Sequence, residues 1–304
     1  MNDFFDLDCF LLDPKLPKKA SKDHVRTWLE YKIDVLKDNE GNKVKDPDAS
    51  ADAREFYQTI WKELLEESGL SLRPEARGLS KNPDQYVQGD WMCSVGTTFR
   101  KGLSVFVKDN RNRNLWESEL RKLYRREIKL EELNDGVGGP NTYAKILLKD
   151  MKKERAEQKF RMFWEDEVLQ NFIRSAYTSA NLIIVPDGFN AARYTRGKNG
   201  TEDYWDLTLK KYYQGKEPLD HRLRNDDGRY DVATPFRKLL KKNQEKGDPL
   251  CLNEWLDQEN KPKMLPNKNP TSMEEWRDLM AEMTSRIKCR CELMAQYIAQ
   301  LQNE

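Results

Sequence analysis

The spacing of apolar and polar residues predicts a chain made mostly of helices. Val25, Leu29, Ile33 and Leu36 recur at helical spacing behind Ser21, a candidate N-cap, and predict a first helix over residues 21–36. After the turn at Asp46-Pro47-Asp48, Ser50 can cap a second helix, whose Tyr57, Trp61, Leu64 and Leu65 form one stripe. Helical spacing returns over residues 115–133, again over 143–177, and then over 203–213 and 230–242. The last periodic segment, 273–301, is the clearest, with Trp276, Met280, Met283, Ile287, Met294 and Ile298 near one face.

Strand-like patterns are fewer. Residues 4–12 mix aromatic and branched side chains before Pro14 and Pro17, which suggests a short strand entering a loop. The runs 86–95 and 103–107 predict a hairpin or small sheet, with Gly96 to Gly102 as its connection. Residues 182–185, Leu-Ile-Ile-Val, predict a buried strand stopped by Pro186-Asp187-Gly188. The expected fold is therefore α+β, predominantly helical with a small β-sheet. We read residues 1–304 as a single globular domain, and the GVGGP run at 136–140 is where a lobe boundary would fall. No repeat of fixed length is visible, which argues against a solenoid.

Composition narrows the functional classes. The apolar fraction is only 38%, but 8 Trp, 12 Tyr and 11 Phe supply the large buried areas that disordered chains lack. With 53 Lys and Arg against 52 Asp and Glu, the chain as a whole carries no field that selects nucleic acid or an anionic membrane, so an anion site must be local. The five cysteines, Cys9, Cys93, Cys251, Cys289 and Cys291, are scattered and odd in number, which suits a reducing cytoplasm. The acidic start lacks a signal peptide's basic region, and no apolar run approaches the roughly 20 residues that a membrane helix needs. A membrane partner is not expected.

Most catalytic signatures are missing. His24 and His221 are far apart, and no nucleophile elbow, zinc-protease motif or dinucleotide fingerprint is present. Gly197-Lys198 lacks the remainder of a phosphate loop. Cys289 and Cys291 point to different faces of a helix, so neither a metal nor another cofactor is expected. A metal-dependent nuclease built on Asp84, Glu127 and Lys129 would need only a degenerate pattern, which a chain with 35% charged residues produces by chance. Solvated, salt-bridged helix faces account for the basic runs at 121–126 and 152–153.

The segment from Asn190 to Tyr213 carries the most chemistry. It joins the predicted strand at 182–185 to a helix through a basic, glycine-containing stretch with Arg193, Arg196 and Lys198. Free N–H groups at a helix start, together with these cations, are what a phosphate requires. Asp203 and Asp206 would share one helix face and cap the helix or orient the arginines. Asn190, Arg193, Arg196, Lys198, Asp203 and Asp206 are thus the candidate ligand-binding residues, for a nucleotide or nucleic acid. The structural alternative is the commoner arrangement: Arg193 and Arg196 pair with Asp203 and Asp206 around a strand-to-helix turn. A third reading is a protein-interaction module whose last helix pairs with a partner.

The order of these features, an apolar strand with Pro, then Asn, then Arg-x-x-Arg-Gly, then Asp-Tyr-Trp-Asp-Leu-Thr-Leu and a paired Tyr, resembles an uncharacterised bacterial family of unknown function. Asp46-Pro47-Asp48 with Tyr57 and Trp61 is similar to a second patch of that family. The resemblance draws interest to these residues and implies no reaction.

Overall fold

The computed structural model describes residues 24–37, 48, 51–74, 85–133, 136–187, 204–213, 223–225, 228–230, 233–257 and 261–301. The expected strand at 4–12, the cap at Ser21 and the turn at Asp46-Pro47 lie outside these residues. The fold is a predominantly helical α+β arrangement around a small mixed sheet.

Helix α1 (His24–Lys37) buries Val25, Trp28 and Leu29 and lies against α6 (Pro140–Met151) and α8 (Glu167–Ala176). The stripe expected over Tyr57 to Leu65 is divided between α2 (Ala51–Ile60) and α3 (Lys62–Ser68). The division falls at Trp61, whose φ of −112° and ψ of 20° leave the helical region. There its ring stacks on Tyr57 at 5.6 Å and its indole N–H donates to the Pro249 carbonyl. Tertiary contacts thus override a continuous helical pattern at one residue.

Strand β1 (Ser71–Leu72) pairs in parallel with β2 (Tyr86–Trp91), and β2 pairs antiparallel with β3 (Leu182–Pro186) in the register Val87 to Pro186 and Trp91 to Leu182. The expected strand at 103–107 is instead part of helix α4 (Val95–Phe106). Ser94 caps this helix by accepting the Thr97 N–H, and Val95, Phe99, Leu103 and Phe106 then fall on one buried face. Gly102 is a helix residue and not part of a turn. It lies under the Trp276 ring, where a Cβ would overlap the indole, so here glycine permits close helix packing. The antiparallel partner of β2 lies 91 to 99 residues further along the chain, from Trp91 to Leu182 and from Val87 to Pro186, which no local pattern announces.

Helix α5 (Asn110–Tyr124) starts earlier than predicted, because Asp109 accepts the Arg111 and Asn112 N–H groups. It ends at Arg125, which has a φ of 56°. Gly136 and Gly138 also adopt positive φ, and Pro140 opens α6. The helix expected over 143–177 is three helices: α6, the short α7 (Arg161–Trp164), and α8. Asp150 explains the first interruption, since its buried carboxylate accepts the Lys159 and Phe160 N–H groups and pairs with Lys153. Asp166 starts α8 by accepting from Val168 and Leu169.

Helix α9 (Trp205–Tyr213) is followed by the hairpin β4 (Leu223–Asn225) and β5 (Gly228–Tyr230) and by α10 (Ala233–Glu245), which packs on α3 and touches β3. Helix α11 (Met273–Leu301) has the predicted extent. Its stripe is buried against α8, α4 and the single turn at Ser179–Asn181. One hydrophobic cluster includes residues from both sides of the 136–140 break, among them Trp116, Tyr143 and Trp276. Among the described residues, no helix is long and apolar enough to cross a membrane.

Where α5 meets the stretch before α7, Glu119 is nearly buried. Burial alone would raise its pKa, but Lys122 and Lys159, each at 2.9 Å, outweigh that and hold the carboxyl down at about 2. A depressed folded-state pKa contributes stability above the unfolded value and loses it as pH falls toward 2. Glu119→Gln should therefore lower stability by about 1–2 kcal/mol at neutral pH, with allowance for the solvent screening of Lys122. The difference from the unsubstituted protein should shrink between roughly pH 4.5 and pH 2. Urea unfolding across that range is the measurement, and a gap that stays constant would assign the loss to packing.

Candidate functional site

Of the six predicted ligand-binding residues, Asn190, Arg193, Arg196, Lys198 and Asp203 lie outside the described residues, and Asp206 lies within them. What the structure defines is the frame on which this segment is mounted. Its two ends are fixed at opposite ends of β2.

The first end leaves from β3, all of whose residues are buried and which α10 touches. Beyond Pro186, the Asp187 N–H donates to the Tyr86 carbonyl. The Asp187 carboxylate, also buried, accepts from Arg73 Nη1 at 3.1 Å. Arg73 is itself held, with its N–H on Val87 O and its carbonyl accepting from Arg54 Nη1. A charge-assisted bond between an arginine and a buried strand-end aspartate thus ties this exit point to the sheet.

The second end returns beside Trp91, the last residue of β2. Tyr204 forms an antiparallel bridge with Cys93, and the Trp205 N–H donates to Met92 O. Asn181 secures the same junction: its backbone carbonyl accepts from Met92 N–H, its Oδ1 accepts from Cys93 N–H, and its Nδ2 donates to Cys93 O and Ala176 O. Every donor and acceptor of that buried amide side chain has a partner.

Asp206 then sits in the first turn of α9 with no exposed surface. Its Oδ1 accepts its neighbour's N–H, from Leu207, at 2.8 Å. Its Oδ2 accepts the Leu265 N–H at 2.8 Å and the Lys268 ammonium at 2.7 Å. Lys268, only 13% exposed, also donates to Leu265 O. Lys101 on α4 completes the cluster by donating to Lys268 O and to Asn269 Oδ1, with its Nζ 5.1 Å from the Tyr204 ring centroid. Asp206 therefore ties α9 to the 265–269 turn. The sequence placed it on a helix face with Asp203 as a partner for arginines, and the structure gives it a lysine 62 residues away.

Removing one member of a buried ion pair leaves the other charge uncompensated and costs about 3–5 kcal/mol. Asp206→Ala should lower the urea midpoint accordingly. Joining it to Lys268→Met should restore part of the loss, because the orphaned ammonium is gone. A double variant no better than the single one would mean that the Leu265 N–H bond, rather than the ion pair, is the important contact.

The nuclease candidates are described only in part. Glu127 and Lys129 are exposed on the turn after α5, with Ile128 buried between them, and Asp84 lies outside the described residues. Lys129 contributes its backbone N–H to the Glu132 carboxylate, a local capping contact. Cys289 and Cys291 diverge as expected for their spacing: the Cys289 thiol meets Glu254, and Cys291 packs against the core. Among the described residues, no group of three or more His, Cys, Asp or Glu is placed to hold a metal ion.

Arg290 is a further buried group, outside the segment that the charge pattern marks. Its guanidinium is completely buried in the middle of the α11 stripe. Nε donates to Leu250 O at 3.0 Å, and Nη1 donates to Ala180 O and Leu182 O at 2.6 and 2.7 Å, while Nη2 has no partner among the described residues. Burial pushes its pKa below the usual arginine value. Its carbonyl partners flank Asn181 and the start of β3, so Arg290 supports the junction at which Tyr204 docks. The loop it holds on the other side includes Gly247, Asp248 and Cys251 at positive φ, and the Asp248 carboxylate accepts from Asn243 Nδ2 and from the Leu252 and Asn253 N–H groups. Comparison of the chain with protein-family models, with curated proteins and with solved structures finds no match.

Proposed function

We propose that the chain recognises a phosphate-bearing ligand, a nucleotide or a nucleic acid, through the basic segment Asn190 to Lys198 ahead of α9. The observation that carries this reading is the commitment of Asp206 to Lys268 and Leu265. In a purely structural arrangement Asp206 would be one of the two carboxylates neutralising Arg193 and Arg196. With Asp206 engaged elsewhere, residues 188–203 contain three cations, Arg193, Arg196 and Lys198, against Glu202 and Asp203. A local excess of one positive charge, with two guanidinium groups in it, suits an anion with several oxygen acceptors. The fixed ends of the segment add to this, because ligand-binding segments mounted on rigid scaffolds lose less order on binding.

The partner-binding alternative draws no support from the last helix, whose apolar stripe is buried within its own chain.

The test uses the full chain with two probes, a fluorescein-labelled single-stranded DNA oligonucleotide and a fluorescent ATP analogue, read by anisotropy. Replacing both Arg193 and Arg196 by Ala should weaken the bound probe at least tenfold, since two charge-assisted contacts are lost, and should leave the melting temperature within about 2 °C. If the oligonucleotide is the ligand, the slope of log affinity against log salt should also become shallower by about 2. Failure of the unsubstituted chain to bind either probe, or a double variant that unfolds, would return the segment to the structural pairing.

A further inference from the structure

We draw no further inference here: the strongest candidate, the N-terminus of helix α4 at Ser94 to Thr97 beside the Cys93–Tyr204 bridge, offers backbone N–H groups and no acidic residue in its first turn, yet no second observation there points to a ligand.

Discussion

A chain ending at Pro270 should fail to fold. The missing helix α11 buries Trp276, Leu279, Met280, Met283, Ile287, Met294 and Ile298 against α4, α8 and the 179–181 turn. Each large apolar side chain contributes about 1.5–3 kcal/mol on burial, so their sum is comparable to or greater than the whole net stability of a typical domain, about 5–15 kcal/mol. The Trp276 indole also donates to Thr98 O, and its ring stacks on Phe163 at 5.3 Å, so the truncation would uncover a polar acceptor as well as an apolar wall. The expected result is aggregated or protease-sensitive protein without a cooperative thermal transition. A monomeric truncated chain with a sharp transition would show that α11 is an accessory element, and would revive a role for it in binding partners.

Arg290→Ala should be the most damaging single substitution among those considered. It leaves the carbonyls of Leu250, Ala180 and Leu182 without their donor and opens a cavity beneath Trp61, whose ring centroid is 6.0 Å from the guanidinium carbon. Unsatisfied buried acceptors cost about 1–3 kcal/mol each, so a loss of at least about 4 kcal/mol in urea unfolding is expected. Arg290→Lys should recover little of it, since one ammonium cannot span carbonyls on both the 250 loop and the start of β3. Arg290→Met should be milder than Ala, because both remove the buried charge but only Met refills the volume. A loss below about 1 kcal/mol for Ala would mean that water replaces the guanidinium at all three carbonyls.

Helices whose stripes are local were legible in the sequence, and α11 is the plainest case: its large apolar side chains at helical spacing meet the core as the pattern predicts. The same stripe passes through Arg290, between Ile287 and Met294, so a charged residue on an apolar face was the available signal for the buried hub. The α4 segment is not legible as a helix, because Gly96 and Gly102 have the character of turn residues. The reason for Gly102, close packing under Trp276, lies 174 residues away in the chain. Asp150 broke a helix through bonds to Lys159 and Phe160, and no periodicity reports a side chain that captures distant backbone. The candidate site was legible as a charge pattern, but the role of Asp206 was not. Its partner Lys268 comes from a proline-rich turn that the sequence presents only as a connection.

The two fixed ends of residues 188–203 also bear on how this protein can diversify. Residues 86–92 span roughly 20 Å along the strand, whereas the segment has about 50 Å of contour at full extension, so the frame does not require one particular length. Lengthening a connection between fixed ends costs only about 0.6 kcal/mol per doubling. Asp187 with Arg73 closes one post, and Asp206 with Lys268 closes the other, and neither pair uses a residue from the stretch between them. Changes of length between Gly188 and Asp203 therefore leave both of these pairs in place, and the two posts do not by themselves select what is strung between them.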